Sequence, residues 1–151
     1  MASVPRTMRI KKGNVTYESN VDRTQFTIRE LVRAAQMDTA RLMRREMLRE
    51  AKKQPGMRRS KRPSAAFQYW VRKRELDLII GSKHDTWYGA QQELGSRNQP
   101  KRGIIKGSVM SNIDNIRKIQ GQYLSAIEKE NKALGLIRPE EDGTEDTGDV
   151  S

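Results

Sequence analysis

The chain has 151 residues, of which 34% are apolar, 5% aromatic and 32% charged, so one domain fits but its core is modest for the length. It contains no cysteine and a single histidine, His84, which excludes a disulfide framework, a thiolate metal site and a histidine cluster. A net charge of +11 attracts polyanions, and no apolar run has the length of a membrane span.

That charge is unevenly spread. Residues 138–151 hold six acids and one base, Arg138; removing them leaves 29 bases against 13 acids, a body of +16 with an acidic tail. The segment Met1-Ala2-Ser3-Val4-Pro5-Arg6 has no signal-peptide character, so synthesis and use in the cytosol are expected.

In chain order, Met8 to Tyr17 alternate around Lys12-Gly13-Asn14, where Gly and Asn supply the positive φ of a tight turn, and a short hairpin is expected. Thr27-Ile28-Arg29-Glu30 has the spacing of a capping box, which predicts a helix start there. Ile28, Leu31, Val32, Ala35, Leu42, Met43, Met47 and Ala51 then recur in steps of three and four, with no breaker before Pro55-Gly56. A helix over 28–53 is predicted, and a loop over 55–64. Phe67, Tyr69 and Val71 alternate, as do Leu76, Leu78 and Ile80, giving two antiparallel strands joined near Arg74-Glu75.

From Gly81 to Gly107 no period is visible, and a long loop is expected there. Ser111-Asn112-Ile113-Asp114 reads as a second helix start, followed by Ile116, Ile119, Tyr123, Ile127 and Leu134 on one stripe; Gly135 would end it. The sum is an α+β fold: a long N-terminal helix and a C-terminal helix packed on a small antiparallel sheet, with a long loop and a disordered acidic tail. The expected organisation is an arm with a hairpin over 1–24, an α+β domain over 25–137 and the tail over 138–151.

Catalytic chemistry finds little support in these residues. Ser82, His84 and Asp85 bring triad residue types together, but triads are assembled from distant segments, and neighbours on a loop do not point at one another. His84 reads as a solvated loop residue. Gly103-Ile104-Ile105-Lys106-Gly107 lacks the spacing of a phosphate loop. The expectation is a protein that binds, without cofactor or metal, and is not an enzyme.

Two candidate surfaces follow. Between Arg41 and Arg62 the chain holds ten bases and two acids. Arg41, Arg44, Arg45, Arg49, Lys52, Arg58, Arg59, Lys61 and Arg62 are candidate contacts for a polyanion or an acidic partner, weighed against a solvated helix face. Trp87-Tyr88 reads as an aromatic anchor, either of the core or of an interface.

A long helix ending in Ala51-Lys52-Lys53-Gln54-Pro55, a strand pair ending in Ile79-Ile80-Gly81-Ser82, the segment Trp87-Tyr88-Gly89-Ala90-Gln91-Gln92-Glu93-Leu94-Gly95-Ser96 with Pro100, and a final helix resemble the neck and tail-component (tail-completion, head-tail joining) proteins of long-tailed phages. Met57-Arg58-Arg59-Ser60 stands where that family carries a Thr-Gly pair, and Leu94 where an aromatic is common. The resemblance implies a virion protein forming a ring, commonly six- or twelve-fold, at the head-tail junction. It implies contacts with its own copies, with adjacent head-connector and tail proteins, and with DNA in the lumen. Trp87, Tyr88, Glu93, Leu94, Gly95 and Pro100 become candidate subunit-interface residues. A nonspecific nucleic-acid-binding protein using residues 41–62 is the alternative.

Overall fold

The structure is a computed structural model that describes residues 3–54, 67–83, 87–98, 100–127, 133, 136 and 137. Its elements are β1 (Met8–Lys12), β2 (Val15–Ser19), α1 (Val21–Lys53), β3 (Phe67–Val71), β4 (Leu78–Ser82), α2 (Trp87–Leu94), α3 (Ile104–Ser111) and α4 (Ile113–Leu124). The fold is α+β, with two separate two-stranded antiparallel sheets, β1–β2 and β3–β4, in place of one. The loop expected over 55–64, His84, Leu134, Gly135 and the acidic tail lie outside the described residues.

The first hairpin forms where the sequence placed it. Lys12 pairs with Val15 across a two-residue turn whose Gly13 has φ +62°, the left-handed geometry that glycine accepts without a Cβ penalty.

α1 is the axis of the protein. Its 33 residues make a rod of about 50 Å, and it starts at Val21, not at the capping box. The Thr27 hydroxyl donates to the carbonyl of Arg23 at 2.9 Å, one turn back, so it sits inside a helix already under way. The true N-cap, Asn20, makes no side-chain cap; its side-chain oxygen instead accepts from the Thr7 hydroxyl at 2.6 Å, fastening the hairpin base to the helix start. The other end is as expected, at Lys53.

The buried positions of α1 include Thr27, Leu31, Ala35, Thr39, Met43, Met47 and Ala51, one every four residues. Four residues advance about 40° beyond a full turn, so this stripe winds by about 240° from Thr27 to Ala51. One helix thus serves two cores on different sides. Leu31 and Ala35 pack with Tyr123, Ala126 and Ala133, while Met43, Met47 and Ala51 pack with Phe67 and Ile104. Thr39 crosses between them by donating its hydroxyl to the Ala35 carbonyl at 2.8 Å, which satisfies the only polar group it buries on its side chain. Ile28, expected in the core, is exposed, because the stripe passes through Thr27 beside it.

β3 and β4 pair in register, Phe67 with Ser82, Tyr69 with Ile80 and Val71 with Leu78. Phe67 and Val71 are buried toward α1, and Arg44 of α1 donates its Nε to the Phe67 carbonyl at 3.2 Å, tying the sheet edge to the helix. α4 lies against α1, where the Tyr123 hydroxyl donates to the carboxylate of Asp38.

Candidate functional site

The segment expected as a long irregular loop, Gly81 to Gly107, contains α2 and the first turn of α3, and the residues singled out there explain why. α2 ends at Gly95, whose φ of +82° turns the chain back. Gly95 donates its N–H to the Gln91 carbonyl at 2.8 Å, and a Cβ on it would lie 3.0 Å from the Lys101 nitrogen. The returning chain is held by Arg102 N–H on the Gln92 carbonyl, 2.9 Å, and by Gly103 N–H on the Glu93 carbonyl, 3.3 Å.

α3 then starts at Gly103, an N-cap with no side chain to offer and φ +57°. The missing acceptor comes from α2: the two carboxylate oxygens of Glu93 accept the N–H groups of Ile105 and Lys106, each at 2.9 Å. A carboxylate at a helix N-terminus meets otherwise orphaned donors and the positive end of the helix dipole. Glu93 and Gly95 therefore have an internal task, clamping α2 to α3. Leu94, between them, projects into solvent, and Pro100 is exposed. The backbone of Trp87 and Tyr88 opens α2; their side chains lie outside the described residues.

On α1, Arg41, Arg44, Arg45, Arg49 and Lys52 fall within an arc of about 140° around the axis and so share one face. Much of their charge is answered within the helix. Arg41 lies 3.6 Å from Asp38, Arg49 lies 2.5 Å from Glu46, and neighbouring Lys53 lies 2.6 Å from Glu50. Arg44 is on the Phe67 carbonyl. Arg45 and Lys52 remain exposed, with no ion pair to a described residue. Arg58, Arg59, Lys61 and Arg62 lie outside the described residues.

Two surfaces with no charge signal escaped the sequence reading. The first is the hairpin β1–β2. At its base Thr7, Glu18 and Asn20 line an open cleft of about 300 Å³ with Arg23, Thr24 and Thr27 of α1. These are the residues of its polar face, where Arg9 and Glu18 pair at 3.1 Å. The opposite face carries Met8, Ile10, Val15 and Tyr17, all exposed.

The second is the outer face of β3–β4, where Trp70 stands directly opposite Ile79 and both are exposed. At the turn end, Arg72 and Asp77 form a two-pronged hydrogen-bonded ion pair. The Arg72 guanidinium holds the Asp77 carboxyl below its ordinary value, chiefly through that hydrogen bond, and Asp77 in turn raises Arg72. The turn itself places Leu76 at φ +56°. Its N–H donates to the Arg72 carbonyl at 3.1 Å, and the Gln36 side-chain amide reaches its carbonyl at 3.5 Å from α1.

Among the described residues no three His, Asp or Glu side chains are grouped as a metal would need. No family model, curated protein or solved structure matches the chain.

Proposed function

We propose that this protein is a structural subunit that works by assembling with its own copies, and specifically a ring component of the head-tail junction of a long-tailed phage. The observation that carries the self-assembly reading is the pair of open apolar faces, on β1–β2 and β3–β4. A lone two-stranded sheet is marginally stable in water; β1–β2 is such a sheet, and among the described residues β3–β4 is backed by α1 on one side only. Covering their apolar sides with protein supplies the burial that a modest core lacks.

The phage assignment rests on the resemblance in the order of long helix, strand pair, Glu-Leu-Gly-Ser segment and final helix, and on the implied path of DNA through a strongly basic ring. In this reading each copy meets ring neighbours and the adjacent head-connector and tail proteins, and the chemistry is contact, not bond making. The basic face of α1 is a weaker basis for function, since Arg41, Arg44 and Arg49 have partners inside the chain.

Sedimentation and electron microscopy of the purified chain test the proposal. Closed rings of six or twelve copies that persist at high salt are expected. A monomer at every concentration, binding duplex DNA with an affinity that collapses as salt rises, would instead establish the nucleic-acid alternative.

A further inference from the structure

The β1–β2 hairpin is amphipathic the wrong way round for a self-contained protein. Its polar face, through Thr7, Glu18 and Asn20, looks toward its own α1, and its apolar face looks away. Met8, Ile10, Val15 and Tyr17 stand 51 to 70% exposed. Ile10 and Tyr17 are direct cross-strand partners, which makes the patch continuous. Among the described residues, the fastening of Thr7 to Asn20 and the cleft beside it join the hairpin to α1, and the rest projects as an arm.

We propose that this arm packs on the outer face of β3–β4 of a second copy of the chain, with Met8, Ile10 and Tyr17 laid over Trp70 and Ile79. The occupant follows from charge. On a protein of +11, copies repel wherever bases are exposed, and these two faces are where bases are scarce. Lys12, at the tip, is the one charge among the arm's apolar-face positions. On β3–β4 the strands carry no charged residue, and Arg72 and Asp77 beyond them neutralise one another.

Shape agrees with charge. Trp70 is 66% and Ile79 45% exposed, a raised pair, while Gly81 two positions along has open space where a side chain would stand. All four strands have five residues, so the faces match in length. Packed face to face, the two sheets become two layers with an apolar filling, and β3–β4 is covered on both sides, by α1 and by the arm. Arm and receiving face are different surfaces, so each copy gives one contact and receives another, and the interaction propagates. The proposal rests on the reading of the chain as a self-assembling subunit.

The absence of cysteine makes the test direct. Full-length Tyr17→Cys and Ile79→Cys chains are mixed and treated with a short bis-maleimide. Thr16→Cys, on the opposite face of the same strand, replaces Tyr17→Cys in the control. Cross-linking between Tyr17→Cys and Ile79→Cys is expected to exceed the control by about ten-fold or more, as an apposed pair has a high effective concentration. Equal rates overturn the proposal, as does preferential Tyr17→Cys homodimer, which would mean arm-to-arm pairing.

Sedimentation of Ile10→Asp and Trp70→Ser, both at exposed positions with folding checked by circular dichroism, is expected to shift toward monomer. Oligomers unchanged by either substitution sink the arm contact while leaving the ring reading intact. Cross-linked copies growing as open chains keep the arm contact and remove the ring.

Discussion

The two halves of α1 solve the same packing problem with different materials. The C-terminal half buries long, flexible Met43 and Met47 against the ring of Phe67 and the branched Ile104, an irregular apolar mixture that thioethers fill well. In the N-terminal half, Leu31 and Ala35 meet Tyr123, Ala126 and Ala133; small residues bring segments close, and a hydrogen bond from Tyr123 to Asp38 fixes the approach. One core draws on volume, the other on proximity plus one polar contact. The sheet β3–β4 and helix α3 dock on the first, while α4 spans both, with Ile116 on the first and Ile119 and Tyr123 on the second.

Truncation should show that difference most clearly. Met47→Ala removes a fully buried side chain and should cost about 3 kcal/mol in urea unfolding. A loss under 1 kcal/mol would mean that the C-terminal core collapses around the gap and is no more volume-dependent than the other. Tyr123→Phe keeps the ring and deletes the hydroxyl, leaving Asp38 with Arg41; about 1.5 kcal/mol should be lost. An unchanged midpoint would place the stability of the N-terminal core in its apolar packing alone.

Glu93→Ala probes whether the clamp from α2 to α3 supports the C-terminal core through Ile104. About 1 kcal/mol is expected, with faster amide exchange at Ile105 and Lys106. If those amides stay protected, another acceptor caps α3. Ser108→Ala should have the smallest effect. Its hydroxyl is buried with no hydrogen-bond partner among the described residues, so its removal should leave stability unchanged or slightly higher. A loss above 1 kcal/mol would reveal a polar contact within that packing.

The same contrast explains what was legible in the sequence. Gly13-Asn14 marked the first hairpin because a two-residue turn demands positive φ, and Lys53 was legible as a helix end before Pro55. Phe67 and Val71 were readable as a buried strand face. The beginning of α1 was not, because Asn20 spends its side chain on Thr7, and Thr27 with Glu30 imitates a cap. The winding stripe was hidden for a related reason. It runs through Thr27 and Thr39, whose polarity hides their burial until the hydroxyls are seen to bond one turn back. α2 and α3, eight residues each, are too short to display a period, and the cap of α3 comes from Glu93, ten residues before its N-cap.

The candidate site was legible only in part. Glu93, Leu94 and Gly95 were singled out together, yet the structure divides them, with Glu93 and Gly95 turned to internal bonds and Leu94 to solvent. The basic row was visible as composition, but the pairing of Arg49 with Glu46 and of Arg44 with a strand carbonyl needs three dimensions. The open faces of the hairpins were missed because alternation alone does not say which side of a strand turns toward the rest of the chain.

The winding of the buried stripe makes α1 a keyed shaft. Between Ala35 and Met43 it carries the pitch from one core to the other, through buried Thr39 and Ala40 and through the side-chain contacts of Gln36 and Asp38, so conservative exchanges there keep the key. A change in residue number does not. One residue deleted or inserted in that stretch would rotate the end that bears β3–β4 by about 100° against the end that bears the β1–β2 hairpin. The arm at one end and its receiving face toward the other would then point in unrelated directions, and copies that fold well would no longer fit one another.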